Sequence, residues 1–380
     1  MVINGREEIN LHLTLEDIRQ DFPILKERVQ LSSCSQSTLH KNVKKAINKY
    51  VESWETDGMN WELWMEASER ARVKFAKLIN AEPEEISIVS SVSHAISSIL
   101  TSLPVNGNRN ELLLAETEFP CIGHAALSQE GKTVQYSGIK LEEYQQKISN
   151  KTLLTSVPHV SFYNGEISEL KTITNLAHAN GSYMFVDAYQ GVGQVAIDVK
   201  DLDVDFLAAG AQKYLLGTPG IAFLYIKKEI AEQLIPKITG WFGQKDPFLF
   251  DIKKVEYAKG AVRFDTGTFP MINGFVADQA LSILLEQEVS KIQAYLKELS
   301  AFTIDYALSK NLKVISPLDP EKKGSNTAIQ VGSAHKLEVE LAKRGIILSS
   351  RNDVIRIAPH YYNTEEDIEQ AIDAMVEILN

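Results

Sequence analysis

Between residues 86 and 226, short runs rich in apolar and β-branched residues alternate with segments of helical period. The runs read EISIVS, ELLLAE, TVQYS, TLLTSVP, SYMFVDA, DFLAAGA and GIAFLYI, and one helical segment starts near Glu166. Several runs are apolar almost throughout, as are strands that are covered on both faces. The alternation therefore predicts an α/β fold whose sheet is mostly parallel.

The end of the chain predicts a second, smaller α+β unit. A long helical pattern covers about residues 273–308, and the following residues read strand, strand, helix, strand, strand, helix. A capping box at Thr364 starts the last helix. We expect an N-terminal segment at 1–60 that packs on both domains, a large domain at 61–270 and a small domain at 271–380.

Composition and charge exclude several classes of function. The chain has 380 residues, and 39 Lys and Arg against 50 Asp and Glu give a formal net charge of −11. No dense basic run is present, so we expect no nucleic-acid partner. Two cysteines, Cys34 and Cys121, are too few for a disulfide framework or a zinc site built from CxxC pairs, and we expect no metal. Without a membrane-spanning stretch or a signal peptide, the expected location is the cytoplasm, with no membrane partner.

An acid and a lysine follow two of the apolar runs. Asp187 lies at the end of SYMFVDA, and Lys213 follows DFLAAGA and precedes a Gly/Pro turn. Ligands of open α/β sheets bind beyond the carboxyl ends of the strands, so we expect both side chains at one crevice. Pyridoxal phosphate chemistry requires such a pair, because a lysine bonds to the cofactor and an acid keeps its ring nitrogen protonated. Taken singly, Asp187 could be a loop cap and Lys213 a surface lysine.

The same block contains a second pattern, Gly191-x-Gly193-x-x-Ala196, which matches the GxGxxA fingerprint of dinucleotide-binding folds. That fingerprint must open a helix, because the pyrophosphate binds at the helix N-terminus. The residues from Gln194 read QVAIDV, which is β-branched and alternating. We therefore reject a dinucleotide site here.

The block VDAYQ, AIDV and DVDFLAAGAQKYLLGTPGIAFLY resembles the class V aminotransferase superfamily of fold-type I pyridoxal phosphate enzymes. This superfamily includes cysteine desulfurases, selenocysteine lyases, kynureninases, isopenicillin N epimerase and C–S lyases. The resemblance extends from about Leu31 to the C-terminus, and it implies a large, mostly parallel α/β domain with a smaller α+β C-terminal domain. It also implies that Lys213 forms the Schiff base with pyridoxal 5'-phosphate, that Asp187 binds the pyridine nitrogen and that Gln190 binds the phenolic oxygen.

Further cofactor contacts are implied by the same resemblance. SSVSHAISSIL matches the helix start that binds the phosphate, where Ser93 and His94 would face the anion, although a helix cap without a ligand gives the same pattern. Phe119, in ETEFPCIGH, matches an aromatic ring that stacks on the cofactor, and would otherwise be ordinary core. Gln212 occupies the position of a histidine that touches the phosphate in many members.

Two more segments match the family outside the central block. VRFDTGT matches a motif whose Gly-Thr pair reaches the phosphate of the neighbouring subunit, so Gly267 and Thr268 imply a homodimer with composite active sites. VIRIAPHYYNTEEDI resembles the stretch in which one arginine binds the substrate carboxylate. We assign that role to Arg356, because a guanidinium can bind a carboxylate with two parallel hydrogen bonds. The alternative is a strand arginine paired with a surface acid.

The loop IILSSRNDVIRI lacks the cysteine that cysteine desulfurases carry there. Cys34 lies in a loop that borders the substrate in this family, so it is a candidate substrate-binding or reactive thiol, and a small buried cysteine is the alternative. The expected reaction is removal of the Cα proton of an α-amino acid by Lys213, followed by β-elimination as in C–S lyases. Transamination, epimerisation, cysteine desulfuration, kynureninase-like hydrolysis and a non-catalytic protein of the same fold stay open.

Overall fold

The computed structural model describes residues 14–104, 108–138 and 140–380. Its strands, in chain order, are β1 Val29–Gln30, β2 Ile86–Val89, β3 Glu111–Ala115, β4 Thr133–Ser137, β5 Thr152–Pro158, β6 Tyr183–Asp187, β7 Phe206–Gly210, β8 Ala222–Ile226, β9 Lys313–Val314, β10 Thr327–Gln330, β11 Ile346–Ile347, β12 Ser349–Arg351 and β13 Val354–Ile357. Its α-helices are α1 Leu15–Gln20, α2 Lys41–Asp57, α3 Trp61–Leu78, α4 Val92–Ser102, α5 Pro120–Leu127, α6 Leu141–Lys147, α7 Leu170–Ala179, α8 Val199–Leu202, α9 Lys228–Ala231, α10 Met271–Gln287, α11 Val289–Ser309, α12 Ala334–Lys343 and α13 Glu365–Leu379.

The large sheet has the strand order β2-β8-β7-β6-β5-β3-β4 within the described residues. Its strands pair in parallel, except that β8 runs antiparallel to β2 and β7. Every run predicted between residues 86 and 226 forms one of these strands. The mostly parallel α/β sheet expected from the sequence is therefore confirmed.

Apolar side chains on both faces of the sheet explain why these strands read as continuous hydrophobic runs. Along β6, Met184 and Val186 belong to one buried cluster, whereas Phe185 belongs to a second cluster on the opposite face. The second cluster also contains the inner faces of α4 and α5, and the first contains those of α3, α7 and α10. Because successive residues of a strand point to opposite faces, a strand covered on both sides must be apolar at every position.

The smaller sheet has the order β12-β13-β10-β9 and is antiparallel. Helices α12 and α13 pack together, and α12 contacts β12 and β13. The capping box predicted at Thr364 is present, because its hydroxyl accepts from the Asp367 amide and the Asp367 carboxylate accepts from the Thr364 amide, both at 3.2 Å. Strand β1 pairs with β11, and α10 packs on α2 and α3. The domain boundaries at residues 60 and 270 stay a prediction.

The structure differs from the sequence expectation at two helices. The segment expected to start near Glu166 becomes helical only at α7, because Glu166 itself forms a β-bridge with Lys323. The long pattern over residues 273–308 is two helices, α10 and α11, separated at Glu288, whose φ is +59°. A non-glycine residue in the left-handed region cannot continue a right-handed helix, so the chain changes direction there.

The glycines of the GxGxxA pattern have a packing role. No helix opens directly after them, since α8 begins only at Val199. Gly193 has φ +95°, and a Cβ there would lie 2.3 Å from the carbonyl oxygen of Tyr214. A Cβ on Gly191 would lie 2.1 Å from the Nδ1 of His159. These glycines allow two loops to approach each other closely. This packing role agrees with the expectation that the pattern is not a dinucleotide-binding fingerprint.

We expect Gly193→Ala to destabilise the protein by roughly 1–3 kcal/mol, because the new methyl group strains the backbone and collides with Tyr214. The measurement is the midpoint of urea unfolding. Gly123→Ala in α5 is the control, because a Cβ there meets nothing within 4 Å and alanine favours a helix by about 0.5–1 kcal/mol. Equal midpoints for Gly193→Ala and the wild type would show that the close approach is not required.

Candidate active site

Parallel pairing of β6 and β7 positions the acid and the lysine at one edge of the large sheet. Asp187 is the last residue of β6 and is aligned with Ala208 of β7. The chain leaves β7 at Gly210 and reaches Lys213 in the turn that follows. Both side chains line the same cavity, of about 180 Å³. The crevice expected beyond the strand ends is present.

Residues from several loops surround this cavity. Of the predicted site residues, Ser93, Phe119, Asp187, Gln190, Gln212 and Lys213 line it. Five other predicted site residues do not line the cavity: His94, Gly267, Thr268, Arg356 and Cys34. The wall is completed by Ser91, Val92, Cys121, Pro158, Val160, Phe162 and Tyr189.

The amine of Lys213 lies against aromatic rings. Its Nζ is 4.3 Å from the ring centre of Tyr189 and 5.5 Å from that of Phe119. The structure records neither a hydrogen bond nor an ion pair from this amine to any described residue. Burial lowers the pKa of Lys213 to about 8. The neutral, nucleophilic form of the amine is therefore far more populated near neutral pH than in a lysine with the ordinary pKa, although the charged form still predominates at pH 7.

Asp187 is a buried acid that lines the same cavity. Its Oδ1 accepts a hydrogen bond of 3.0 Å from the Tyr189 amide, and burial raises the pKa of its carboxyl group. Glu118 is a second buried acid nearby, and its pKa is raised well above the usual range, first by burial and then by the charge of Asp187. The Ser156 hydroxyl donates to Glu118 at 2.6 Å. A protonated Glu118 lets Asp187 carry the negative charge of the pair.

The amino end of α4 reaches the cavity at Ser93. Ser91 caps the helix by accepting a hydrogen bond from the His94 amide, and the amides of Val92 and Ser93 have no acceptor within the helix. The imidazole of His94 does not line the cavity. Its Nδ1 lies 3.3 Å from the Ser90 hydroxyl. The structure thus brings Ser93 into the cavity wall and leaves His94 outside it.

The two glutamines of the cavity wall are tied to the N-terminal segment. Gln190 Nε2 donates to the Cys34 carbonyl at 2.9 Å, and Gln212 Nε2 donates to the Ser35 carbonyl at 3.2 Å. The Cys34 thiol itself is buried and lies 3.5 Å from the Ser349 hydroxyl. This placement favours the alternative of a small buried cysteine over a thiol in the cavity.

Arg356 lies behind the cavity wall, fully buried on β13. Its guanidinium donates to the Phe162 carbonyl at 2.8 Å, to the Ser35 hydroxyl at 3.0 Å and to the Ser349 hydroxyl at 2.8 Å. Its Nε is buried without a partner. The alternative of a pair with a surface acid does not hold, because all of these acceptors are uncharged.

Gly267 and Thr268 are exposed at the surface of this chain. Asp265, two residues before Gly267, anchors the segment, since its carboxylate is 2.7 Å from both the Arg72 guanidinium and the Ser87 hydroxyl. The Gly-Thr pair therefore projects from a fixed base and does not reach the cavity of its own chain.

Sequence reasoning did not assign a role to Tyr189 and Cys121. Tyr189 follows Asp187 by two residues in the same turn, a spacing that could have indicated it. Cys121 follows Phe119 in the same way, and burial, together with the charge of Asp187, raises the pKa of its thiol to about 11. A thiol of that pKa is protonated at neutral pH, which makes it a poor nucleophile.

Within residues 14–104, 108–138 and 140–380, no group of three or more His, Cys, Asp or Glu is arranged to hold a metal ion. In that same part of the chain, no helix has the length and apolar character needed to cross a membrane.

Comparisons with known proteins place these observations in a family. The model of the family "Aminotransferase class-V" matches residues 30–371. A Bacillus subtilis (strain 168) protein called uncharacterized aminotransferase YcbU is 41% identical over 94% of this chain and 96% of its own. Kynureninase of Bacillus anthracis is 25% identical over 98% of this chain and 93% of its own.

The solved structures agree on the fold. Cysteine desulfurase from Thermococcus onnurineus NA1 is 21% identical, superposes with a TM-score of 0.85 and covers 96% of this chain and 98% of its own. The predicted fold class of the fold-type I enzymes is confirmed. Class V aminotransferases use pyridoxal 5'-phosphate, which confirms the predicted cofactor. The chain belongs to the class V aminotransferase family and is a pyridoxal phosphate-dependent enzyme.

Proposed function

We propose that the enzyme acts on an α-amino acid, that Lys213 removes the Cα proton and that a substituent at Cβ is then eliminated. The observation that carries this proposal is the single cavity into which Lys213, with a pKa of about 8, and the buried Asp187 both project. Membership of the family accounts for the use of pyridoxal phosphate, and β-elimination is what we propose beyond it.

The donor set of the cavity fits the cofactor. An amine without a hydrogen-bonding partner suits covalent attachment, and a buried carboxylate with no cation within ion-pair distance among the described residues suits a protonated ring nitrogen. The free amides at the start of α4 and the Ser93 hydroxyl suit a phosphate. In this proposal Phe119 stacks on the ring and Gln190 donates to its oxygen. When bound, the cofactor supplies an electron sink for the negative charge that develops at Cα.

The chain's own groups then have defined tasks. Lys213 accepts the Cα proton at Nζ, which is possible near neutral pH because burial keeps its pKa low. Asp187 keeps its negative charge because its neighbour Glu118 takes up the proton of the pair. In this proposal Arg356 binds the substrate carboxylate, which requires the cavity wall at Phe162 to open toward the buried, partnerless Nε, and the bound carboxylate fixes the orientation of the Cα–H bond.

The placement of the thiols argues against a persulfide mechanism, and the proposed elimination needs no cysteine. The bond between Cβ and the leaving group breaks, the electron pair leaves with that group, and the released enamine hydrolyses to a 2-oxo acid and ammonia. A persulfide mechanism needs a thiolate at the substrate, but Cys34 is buried outside the cavity and the Cys121 thiol has a pKa of about 11. These positions support a reaction that needs no cysteine nucleophile.

The proposed assembly is a homodimer with composite sites. The support is the projection of Gly267 and Thr268 away from their own cavity, on a segment that the buried ion pair of Asp265 with Arg72 holds in place. In the proposal this pair closes the phosphate end of the partner's cavity. A cytoplasmic location, expected from the sequence, belongs to the same proposal.

A panel of β-substituted amino acids tests the reaction. We expect the holoenzyme to release equal amounts of 2-oxo acid and ammonia from cysteine-type substrates, measured by a coupled dehydrogenase assay. Lys213→Ala should abolish this release, whereas Lys336→Ala, at an exposed position of α12, should not. Racemisation without an oxo acid, or oxo acid formed only with an amino acceptor, would replace elimination by epimerisation or transamination.

The pH dependence of cofactor attachment tests the state of Lys213. We expect the rate of pyridoxal phosphate binding to the apoenzyme to rise as the pH increases through about 8 and to level off above it, because only the neutral amine is a nucleophile. The rate is measured by stopped-flow absorbance. A rate that keeps rising up to the ordinary lysine pKa of 10.5 would contradict a buried, perturbed amine.

Subunit complementation tests the composite site. Lys213→Ala and Thr268→Val should each be nearly inactive, and refolding the two together should restore activity, because one cavity of each mixed dimer then has both native residues. Refolding each variant alone is the control. No recovery in the mixture, or a monomer in size-exclusion chromatography, would refute the shared site.

A further inference from the structure

Strands β12 and β13 carry two arginines on one face of the smaller sheet. Ser349 of β12 is aligned with Arg356 of β13, and residues directly opposite each other project to the same face. Arg351 lies two residues beyond Ser349 in the same strand, so its side chain projects to that face as well. The two guanidinium groups therefore belong to one surface, and Arg356 contacts the wall of the Lys213 cavity through the Phe162 carbonyl.

Neither arginine is neutralised by an acid of the described chain. The acceptors of Arg356 are hydroxyl and carbonyl oxygens, and its buried Nε has no partner. Arg351 donates to the Ser350 carbonyl at 2.7 Å and forms no ion pair with a described residue. The nearby Glu338 is engaged otherwise, because its carboxylate accepts from Ser350 and lies 3.3 Å from His335.

Both positive charges act on the site. Burial is the main cause of the low pKa of Lys213; the charge of Asp187 raises this pKa, whereas the charges of Arg356 and then Arg351 lower it. Arg356 also contributes, after burial, to a lowered pKa of Arg351. Cations that repel one another in this way are costly unless negative charge compensates them, and Glu338, which raises the pKa of Arg351, acts on it only from beyond ion-pair distance. One α-carboxylate would compensate only one of the two arginines.

We propose that Arg351 binds a second anionic group, on the side chain of the substrate, while Arg356 takes the α-carboxylate. The substrate class is then an α-amino acid whose β-substituent carries a carboxylate, sulfinate, sulfonate or phosphate. Arg351 suits this task, because it is exposed on the face of the small sheet that carries Arg356 and its planar fork binds two oxygens at once. The inference rests on the proposed function in one respect, since it places an amino acid in this cavity.

Binding of simple carboxylates to the holoenzyme tests the second anion subsite without turnover. Succinate and propionate are titrated and followed by the visible absorption of the bound cofactor. We expect Arg351→Gln to weaken succinate binding by about 10-fold or more, the loss of one charge-assisted contact, and to change propionate binding less than about 2-fold. Arg351→Lys should lie between these values, because it keeps the charge and loses the fork. Arg344→Gln, at an exposed ion pair with Glu377, is the matched control.

Turnover gives the second readout. If elimination occurs, Arg351→Gln should lower kcat/KM about 10-fold or more for β-substituted amino acids with an acidic substituent, and leave neutral analogues unchanged within about 2-fold. Comparison of carboxylate, sulfinate, sulfonate and phosphate substituents identifies the anion. Equal losses for acidic and neutral ligands, or no loss for either, would overturn the subsite. Selective loss of succinate binding in an enzyme that performs no elimination would support the subsite and refute the proposed reaction.

Discussion

Parallel pairing of β6 with β7 is the constraint on which the site depends. The alignment of Asp187 with Ala208 ends both strands at one edge, so the acid and the lysine enter the same cavity although 26 positions separate them in the chain. The turn after β7 is held by hydrogen bonds from Leu216 to Lys213 and from Gly217 to Ala211. Because apolar clusters cover both faces of the sheet, its edge is where polar side chains can gather.

A second set of contacts joins distant parts of the chain around this edge. Arg356 bonds to the loop after β5, to the N-terminal segment at Ser35 and to β12 at Ser349. Gln190 and Gln212 add bonds to the carbonyls of residues 34 and 35. The N-terminal segment is thus a structural wall between the large sheet and the small sheet. Cys34 is part of this wall, and its thiol does not line the cavity.

The electrostatics of the cavity follow from burial more than from pairing. Lys213 and Asp187 are not within ion-pair distance. Burial therefore favours the neutral form of each group, because it lowers the pKa of Lys213 and raises the pKa of Asp187. For Asp187, the hydrogen bond from the Tyr189 amide and then the charge of Lys213 oppose the effect of burial on its pKa. A cavity that holds an amine, an acid and nearby guanidinium groups without internal salt bridges has its charges available for ligands.

Much of the fold and the centre of the site could be predicted from the sequence alone, because strand patterns and strand-end residues are local signals. The runs between residues 86 and 226, Asp187, Lys213 and the capping box at Thr364 were of this kind. Tertiary structure decided the rest. It placed His94 and Cys34 outside the cavity, interrupted a long helix at Glu288 and put Arg351 on the face that carries Arg356. These outcomes depend on which segments pack together across the chain, and no local pattern encodes such contacts.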